Sequence, residues 1–259
     1  MSAWILLRGL TREARHWAQL PERLRASGLA GEIVCLDLPG SGIHQAMRSP
    51  VSVSAMLEFV RADVRARGYT PPFRVLAMSL GAMVATAWAQ QAPHEIERLA
   101  LINTSMRPFC SARERLCPGA WPELLCAALR WRDRSDAEAA IHLLTCNRLD
   151  QRDADLAVWA AIYRSAPVSR ANACRQLWAA AHFAAAATPP RCPTLLVSST
   201  RDALVDPVCS RKIAAAWSAA HLEHPWAGHD LPHDDPAWLA DALAAWSFDV
   251  LAGEAEHGR

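Results

Sequence analysis

A single serine separates a strand-like segment from a helix-like segment at Ala77-Met78-Ser79-Leu80-Gly81. The apolar residues before Ser79 are typical of a buried strand, and the alanine-rich residues after it are typical of a buried helix. A serine hydroxyl held at such a turn can attack a carbonyl carbon once a base removes its proton. The alternative is a serine that only caps the helix. The choice depends on whether the chain also supplies a base, an orienting acid and donors for an oxyanion.

Three histidines near the carboxyl end of the chain are candidates for the base. His229 follows a glycine after one predicted strand and precedes the last predicted helix, so it is expected on a loop at the edge of the sheet. His224 lies within the predicted strand itself, and His233 lies further along the loop. We therefore predict that His229 is the base.

The orienting acid is expected just after another strand. Asp202 directly follows the segment Thr194–Ser198 and its short polar extension, whereas Asp206 precedes a proline and is predicted to cap the next helix. A carboxylate that accepts a hydrogen bond from an imidazole fixes its tautomer and stabilises the imidazolium. Asp202 is therefore the predicted acid.

Donors for an oxyanion are expected where the first strand, Trp4–Leu7, runs into a turn that contains Gly9. The backbone N–H of Leu10 in this turn and that of Leu80 after the serine could point at one oxygen. Each such donor stabilises the transition state by roughly 3 kcal/mol. Leu10 and Leu80 are therefore predicted to form the oxyanion hole.

Short apolar runs alternate with longer helical patterns along most of the chain. This alternation favours an α/β fold, with a mainly parallel sheet of about six strands flanked by helices. The strands are predicted at Trp4–Leu7, Ile33–Leu36, Arg74–Ala77, Leu99–Ile102, Thr194–Ser198 and His221–His224. The helices outside the central region are predicted at Trp17–Ala26, Val53–Arg67, Leu80–Gln91 and Pro236–Leu251.

The alternation stops in residues 107–188, which we interpret as a helical insertion that covers one edge of the sheet as a cap. The core is then formed by residues 1–106 and 189–252, and residues 253–259 are a predicted frayed tail. The four tryptophans of the insertion could line an apolar pocket or pack its own core, and both alternatives stay open. Its arginine-rich segments could meet an acidic carrier protein, although a solvated helix face is the simpler interpretation.

The order Ser79, Asp202, His229, with a glycine turn after the first strand and an insertion after the fourth, resembles the α/β-hydrolase family. The serine turn differs by one residue from the pattern G-x-S-x-G, because Ala77 takes the first position. The segment Asp37-Leu38-Pro39-Gly40-Ser41-Gly42 is similar to the D-x-P-G-x-G loop of that family. The resemblance covers nearly the whole chain and is nearest to small capped carboxylesterases, including the pimeloyl-carrier-protein methyl ester esterases. It implies an α/β-hydrolase fold in which the three residues form a catalytic triad.

Two departures from the family pattern affect the expectations. The family usually has histidine where this chain has Arg8. Arg8 could pair with a nearby carboxylate, which we favour, or bind an acidic group of the substrate; on that second alternative Arg8, together with Met78, is predicted to bind substrate. The family also often begins with two antiparallel strands, which are missing from this pattern, so the shorter sheet of about six strands is expected.

The predicted function is that of a serine hydrolase that cleaves a carboxylic ester through a covalent acyl-enzyme, with no cofactor. The same residues could instead hydrolyse a C–C bond, a thioester or a lactone, or transfer an acyl group, and a ligand-binding protein on a hydrolase scaffold is the non-enzymatic alternative. The expected partner is a small-molecule ester, and an acyl carrier protein is an alternative that we favour less.

Composition excludes several other classes of function. The net charge of +1 gives no reason to expect nucleic acid as a partner. The eight cysteines form no CxxC pair, so no metal site is expected. No apolar run approaches the roughly 20 residues of a membrane span, and the first residues lack the features of a signal peptide. A reduced cytoplasmic protein is the expectation.

Overall fold

Six parallel strands form a single sheet in the computed structural model, which describes residues 2–257, except for the side chains of residues 134, 249 and 251–257. The order across the sheet is β2-β1-β3-β4-β5-β6, and every neighbouring pair is parallel. The predicted mainly parallel sheet of six strands is therefore confirmed. The strands are β1 Trp4–Leu7, β2 Ile33–Leu36, β3 Phe73–Met78, β4 Ile96–Ile102, β5 Thr194–Ser199 and β6 Ala220–His224.

The fourth strand begins three residues earlier than its apolar pattern predicts. Arg98 lies inside β4 and is 1% exposed. Its guanidinium Nη1 donates a hydrogen bond to the carbonyl oxygen of Ser247, 2.7 Å away. A buried charge in a strand is tolerated when distant backbone supplies an acceptor, and a hydropathy pattern cannot reveal that acceptor.

Helices cover both faces of the sheet, because successive side chains of a strand point to opposite faces. In β1, Ile5 and Leu7 belong to one apolar core, and Trp4 and Leu6 belong to the other. The first core is completed by the helices α2 Val53–Ala66, α3 Leu80–Gln91 and α9 Val208–Trp217. The second core is completed by α1 Leu20–Ala26 and α11 Pro236–His257.

The insertion between β4 and β5 is helical, as predicted. The point where the chain enters the insertion lies close to the point where it returns to the core, because Arg107 and Ala184 form an isolated parallel bridge. The helices of the insertion are α4 Ala112–Arg115, α5 Trp121–Leu129, α6 Arg134–Thr145, α7 Arg152–Ser165 and α8 Arg170–His182.

The tryptophans of the insertion do not share one environment. Trp159 is 3% exposed, whereas Trp121 and Trp178 are 60% and 57% exposed. The ring of Trp159 contacts His142 of α6 and also His16 and His233, which lie outside the insertion. Trp159 therefore packs the insertion against the rest of the molecule.

The last helix, α11, continues to His257 and not to the predicted end at Leu251. The longer helix overlaps the predicted frayed tail at residues 253–257, where the sequence contains no proline, and the fraying of that tail stays a prediction. The remainder of that predicted tail, residues 258 and 259, lies outside the described residues.

Among the described residues, none of the helices combines the length and the apolar character that crossing a membrane requires.

The helix α3 runs unusually close to the end of β1 at Gly81. A Cβ added at Gly81 would lie 2.4 Å from the carbonyl oxygen of Leu7 and 2.5 Å from that of Arg8. These neighbours are backbone atoms, so they cannot move aside as a flexible side chain would. The absence of a side chain at Gly81 therefore fixes the distance between the start of α3 and the turn after β1.

We predict that Gly81→Ala lowers the free energy of unfolding by about 1–3 kcal/mol or more, since the added methyl overpacks a rigid contact. Gly119→Ala is the matched control, because a Cβ there meets no atom within 4 Å. Denaturant unfolding of both variants measures the difference. Equal stability of Gly81→Ala and the control would show that the close approach does not constrain the fold.

Candidate active site

Ser79 lies at the sharp turn between β3 and α3. Its backbone has φ 53° and ψ −118°, a region that residues other than glycine rarely adopt. It is half-buried, while every other residue from Val75 to Ala89 is buried. Its side chain makes no capping hydrogen bond to α3, so the alternative of a simple helix cap is not supported. The turn thus holds one accessible hydroxyl above an otherwise buried strand and helix.

His229 and Asp202 form the hydrogen-bonded pair that the sequence predicted. Nδ1 of His229 donates to Oδ2 of Asp202 over 2.7 Å, and both side chains are buried. The other carboxylate oxygen of Asp202 accepts from the backbone N–H groups of Leu204 and Val205 at 2.8 and 2.9 Å. The carboxylate is therefore held in place. It fixes the tautomer of His229 in which Nδ1 carries the proton and Nε2 carries none.

The two rival histidines have other partners. Nδ1 of His224 accepts the backbone N–H of Ala227 at 2.9 Å, and its Nε2 lies 3.3 Å from a carboxylate oxygen of Asp235. His233 lies 2.8 Å from a carboxylate oxygen of Asp155 in the insertion. Of the three histidines, His229 is the one that the structure pairs with Asp202.

Strand β4 reaches both ends of this arrangement through the two residues that follow it. The side-chain amide of Asn103 donates to the carbonyl oxygens of Gly228 and His229 at 3.2 and 2.8 Å. The hydroxyl of Thr104 donates to the carbonyl oxygen of Ser79 at 3.1 Å. Asn103 adopts a positive φ of 44°, which asparagine tolerates better than most residues. These contacts fix the serine turn and the histidine loop to the same strand end.

The insertion also holds the loop that carries His229. The buried carboxylate of Asp234 accepts from the backbone N–H groups of Gly228 at 2.7 Å and of Asn147 at 3.0 Å. The backbone N–H of Asp230 donates to the carbonyl oxygen of Thr145 at 2.8 Å. The side-chain amide of Asn147 also donates to the carbonyl oxygen of Trp226 at 3.0 Å, so the residues at and just after the end of α6 bind this loop before and after His229.

The turn after β1 lies directly beside the serine, where an oxyanion hole was predicted. A Cβ added at Gly9 would be 3.1 Å from Cβ and 3.6 Å from Oγ of Ser79. Leu80 is the first residue of α3, so its N–H belongs to the unpaired group at that helix start. The roles of Leu10 and Leu80 as oxyanion donors stay predictions.

Gln176 of the insertion fixes the same turn from the other side. Its side-chain oxygen accepts the backbone N–H of Thr11 at 2.8 Å, and its amide donates to Pro39 and Ser41 in the loop similar to D-x-P-G-x-G. Gln176 is fully buried. One side chain of α8 therefore joins the turn beside Ser79 to the loop after β2.

Arg8 pairs with a carboxylate, as we favoured from the sequence. Its two terminal nitrogens donate to the two carboxylate oxygens of Asp230 at 3.0 and 2.6 Å, and Arg8 is 2% exposed. The guanidinium also lies 4.9 Å from the centroid of the Trp17 ring and 3.4 Å from the sulfur of Met78. Both predicted substrate-binding side chains, Arg8 and Met78, are thus buried in contact with each other, and their binding of substrate stays a prediction that this burial does not favour.

The pair is strongly desolvated. Burial by itself would raise the pKa of Asp230, but the charge and hydrogen bonds of Arg8 outweigh it and lower that pKa below its ordinary value. A carboxylate with a lowered pKa stabilises the fold above the ordinary value of about 4, and this contribution is lost as the pH falls through the lowered pKa. The interaction between β1 and the loop after His229 is therefore present at neutral pH.

Comparison with known proteins agrees with this architecture. The family model of the alpha/beta hydrolase fold matches residues 5–236. The chain belongs to the α/β-hydrolase family. Among curated relatives, a Klebsiella pneumoniae protein provisionally named as the carbamate hydrolase RutD is 28% identical, over 93% of this chain and 91% of its own.

Two solved α/β-hydrolase structures are similar in fold. A thermophilic esterase from Thermogutta terrifontis has a TM-score of 0.76 at 21% identity, covering 96% of this chain and 90% of its own. The enol-lactonase from Burkholderia xenovorans has a TM-score of 0.73 at 21% identity, covering 97% and 92%. At this level of identity the likeness supports the fold alone.

Several residues of the site were missed by sequence reasoning, namely Asn103, Asp230, Asp234 and Gln176. A weak signal existed for the first, because Asn103 follows a predicted strand at the edge where the other functional residues are expected. No signal indicated the other three, since each acts through a partner more than 80 residues away in the chain.

We predict that Arg8→Met lowers the free energy of unfolding by about 3–5 kcal/mol, because it leaves the Asp230 carboxylate buried without a partner. The double variant Arg8→Met/Asp230→Leu should recover most of this loss, since neither charge remains. Arg74→Met is the control, because Arg74 and Glu97 form a more exposed pair whose loss should cost about 1 kcal/mol or less. Denaturant unfolding checks all three, and a double variant no more stable than Arg8→Met would contradict the prediction.

Proposed function

We propose that this α/β-hydrolase is a serine hydrolase that cleaves a carboxylic ester through a covalent acyl-enzyme. One observation carries the proposal: the strained, accessible Ser79 and the hydrogen-bonded pair of His229 and Asp202 follow three strands of the same parallel sheet. Carboxyl ends of parallel strands share one edge, so nucleophile, base and acid are presented together.

In the first half of the reaction, Nε2 of His229 takes the proton of Ser79 as Oγ bonds to the ester carbon. The carbonyl oxygen becomes an oxyanion, for which the N–H groups of Leu10 and Leu80 are the proposed donors. Asp202 stabilises the imidazolium through the bond to Nδ1. His229 then gives its proton to the leaving alkoxide, so the ester C–O bond breaks and an alcohol departs.

In the second half, water replaces the alcohol. His229 removes a proton from water as the water oxygen attacks the acyl carbon. His229 then gives this proton to Oγ of Ser79 as the bond between Oγ and the acyl carbon breaks. The products are a carboxylic acid and the free enzyme. Every proton that moves is carried by one imidazole, which explains the need for a fixed tautomer.

A carbamate is the second candidate substrate class, and one observation favours it. The relative named for carbamate hydrolysis matches 93% of this chain, a far wider match than a shared motif. A carbamate presents a carbonyl to the same nucleophile but places nitrogen beside the carbonyl carbon. The chemistry of Ser79 and His229 serves both classes, so the pocket around the acyl group decides between them.

We predict that a fluorophosphonate probe labels the folded protein at Ser79, with loss of fluoride, because the probe reacts with activated serines. Ser79→Ala should abolish the label and lower kcat by about 10⁴-fold or more. Ser54→Ala is the matched control, since Ser54 is an exposed serine on α2. Mass spectrometry of the labelled peptide gives the readout. Unlabelled wild-type protein with intact structure would overturn the proposal.

We further predict that a chain-length series of activated esters is turned over with a larger kcat/KM than carbamates of matched acyl and leaving groups. Wild type and Ser79→Ala are measured together, so that background hydrolysis is subtracted. Turnover of the carbamates without turnover of the esters would replace the ester proposal by the carbamate one. Product formed with an added alcohol, at the expense of hydrolysis, would indicate acyl transfer.

A further inference from the structure

Three side chains with metal-binding chemistry come together where the insertion meets the loop that follows His229. His142 and Cys146 lie at the end of α6, and His233 lies on the short helix α10 Leu231–Asp234. One potential ligand atom of each lies within 4.8 Å of those of the other two, and all three residues are buried. None of these residues takes part in the proposed ester hydrolysis.

The spacing within α6 explains how two of the three meet. Cys146 directly follows the last residue of α6, and its backbone N–H still donates to the carbonyl oxygen of His142 at 2.8 Å, so the four-residue spacing keeps the two residues close together. His233 is 87 residues further along the chain than Cys146 and joins them only through the fold. The expectation of no metal site, which rested on the absence of CxxC pairs, considered local spacing alone and could not include this arrangement.

The ring of His142 has one nitrogen in use and one without a partner. Its Nε2 lies 3.2 Å from a carboxylate oxygen of Asp155, whereas its Nδ1 has no hydrogen-bond partner among the described residues. The side chain of His142 is fully buried. A buried imidazole nitrogen normally has a hydrogen-bond partner. Nδ1 of His142 is therefore available to bind a metal ion.

Asp155 contacts both imidazoles. Its Oδ2 lies 3.2 Å from Nε2 of His142 and 2.8 Å from Nε2 of His233. Histidines that bind metals usually use one ring nitrogen for the ion while a carboxylate orients the ring. The contact of Asp155 with His142 matches that arrangement, whereas Nε2 of His233 lies close to the same carboxylate without a hydrogen-bond partner among the described residues.

The charges around Cys146 also suit a cation. The carboxylates of Asp230 and Asp234 lie near enough to Cys146 to act on it electrostatically, and they favour a positive charge beside it. When an ion binds, the thiol proton passes to solvent and the thiolate takes its place as a ligand. Arg12 opposes a cation here, but its guanidinium is itself paired with Glu138 at 2.8 Å.

We propose that His142, Cys146 and His233 bind one divalent transition-metal ion, with Asp155 orienting the imidazole of His142. Two imidazoles and a thiolate are the donor set that Zn²⁺ favours in proteins. The ion would join the end of α6 to α10. The contacts that hold the His229 loop lie between the same two segments. Its role is therefore structural, as a clamp between the insertion and the core.

The experiment titrates chelator-treated wild-type protein with Co²⁺ as a spectroscopic probe and then with Zn²⁺ as a competitor. We expect one equivalent of Co²⁺ to bind, a thiolate-to-metal charge-transfer band to appear, and Zn²⁺ to remove that band. Zn²⁺ should also raise the melting temperature of the wild type. These readouts are independent of any enzymatic activity.

The variant Cys146→Ser changes one atom and should fold, which far-UV circular dichroism checks. It should lose both the charge-transfer band and the Zn²⁺-dependent rise in melting temperature. Cys174→Ser is the matched control, because Cys174 is an exposed cysteine on α8, and it should keep both. Asp155→Asn should weaken Co²⁺ affinity by about 10–100-fold, as expected when the group that orients a ligand is changed.

Three results would overturn the proposal. The first is wild-type protein that binds no stoichiometric Co²⁺. The second is Co²⁺ binding without a charge-transfer band, since Cys146 would then not be a ligand. The third is equal behaviour of Cys146→Ser and Cys174→Ser, which would assign the band to another cysteine.

Discussion

The constraint on which the whole site depends is that parallel strands end at the same edge of their sheet. Each strand needs a long crossover to return to its start, and the loops after the strands therefore collect at one edge. Ser79 follows β3, Asp202 follows β5 and His229 follows β6, so strand direction places the loops that carry these three residues, spread over 150 positions, at the same edge. The order of the sheet reverses between β1 and β3, and Gly9 in the turn after β1 lies beside Ser79 there.

Direction brings these loops to one edge, but buried polar contacts set their positions. A loop of a few residues has many conformations, and each must be excluded at a cost in entropy. Asn103 binds two carbonyl oxygens around His229, and Asp234 binds the backbone of Gly228. Each buried polar group is costly unless it is satisfied, so a misplaced loop would leave several unpaired groups at once. The network therefore strongly favours one arrangement of the loops over other loop conformations.

The sequence predicts most of what depends on local pattern and little of what depends on distant partners. The strands β1 and β2 and the helix α3 have the predicted bounds, because an apolar run or an alanine-rich segment is a local property. The early start of β4 was missed, since it requires a carbonyl of α11 to satisfy Arg98.

The same distinction holds within the site. The bond between His229 and Asp202 was predicted because each follows a recognisable strand, and the pairing of Arg8 was predicted only in kind. That its partner is Asp230, the residue next to His229, depends on two loops meeting across 222 positions. Resemblance to the α/β-hydrolase family gives the order of the triad, but it cannot supply contacts at a position where this chain departs from the family.

The insertion has a larger part in the site than that of a cover. Gln176 fixes the turn beside Ser79, and Thr145 and Asn147 contact the loop that carries His229. A cap that only covered the site could rock as a body without changing the chemistry. Here movement of the end of α6 would break bonds to backbone before and after the proposed base, so the position of the insertion is physically coupled to the geometry of the proposed proton transfer. Substitutions at the end of α6 should therefore act on the chemical step as well as on substrate binding, because the same backbone groups hold the insertion and orient the imidazole.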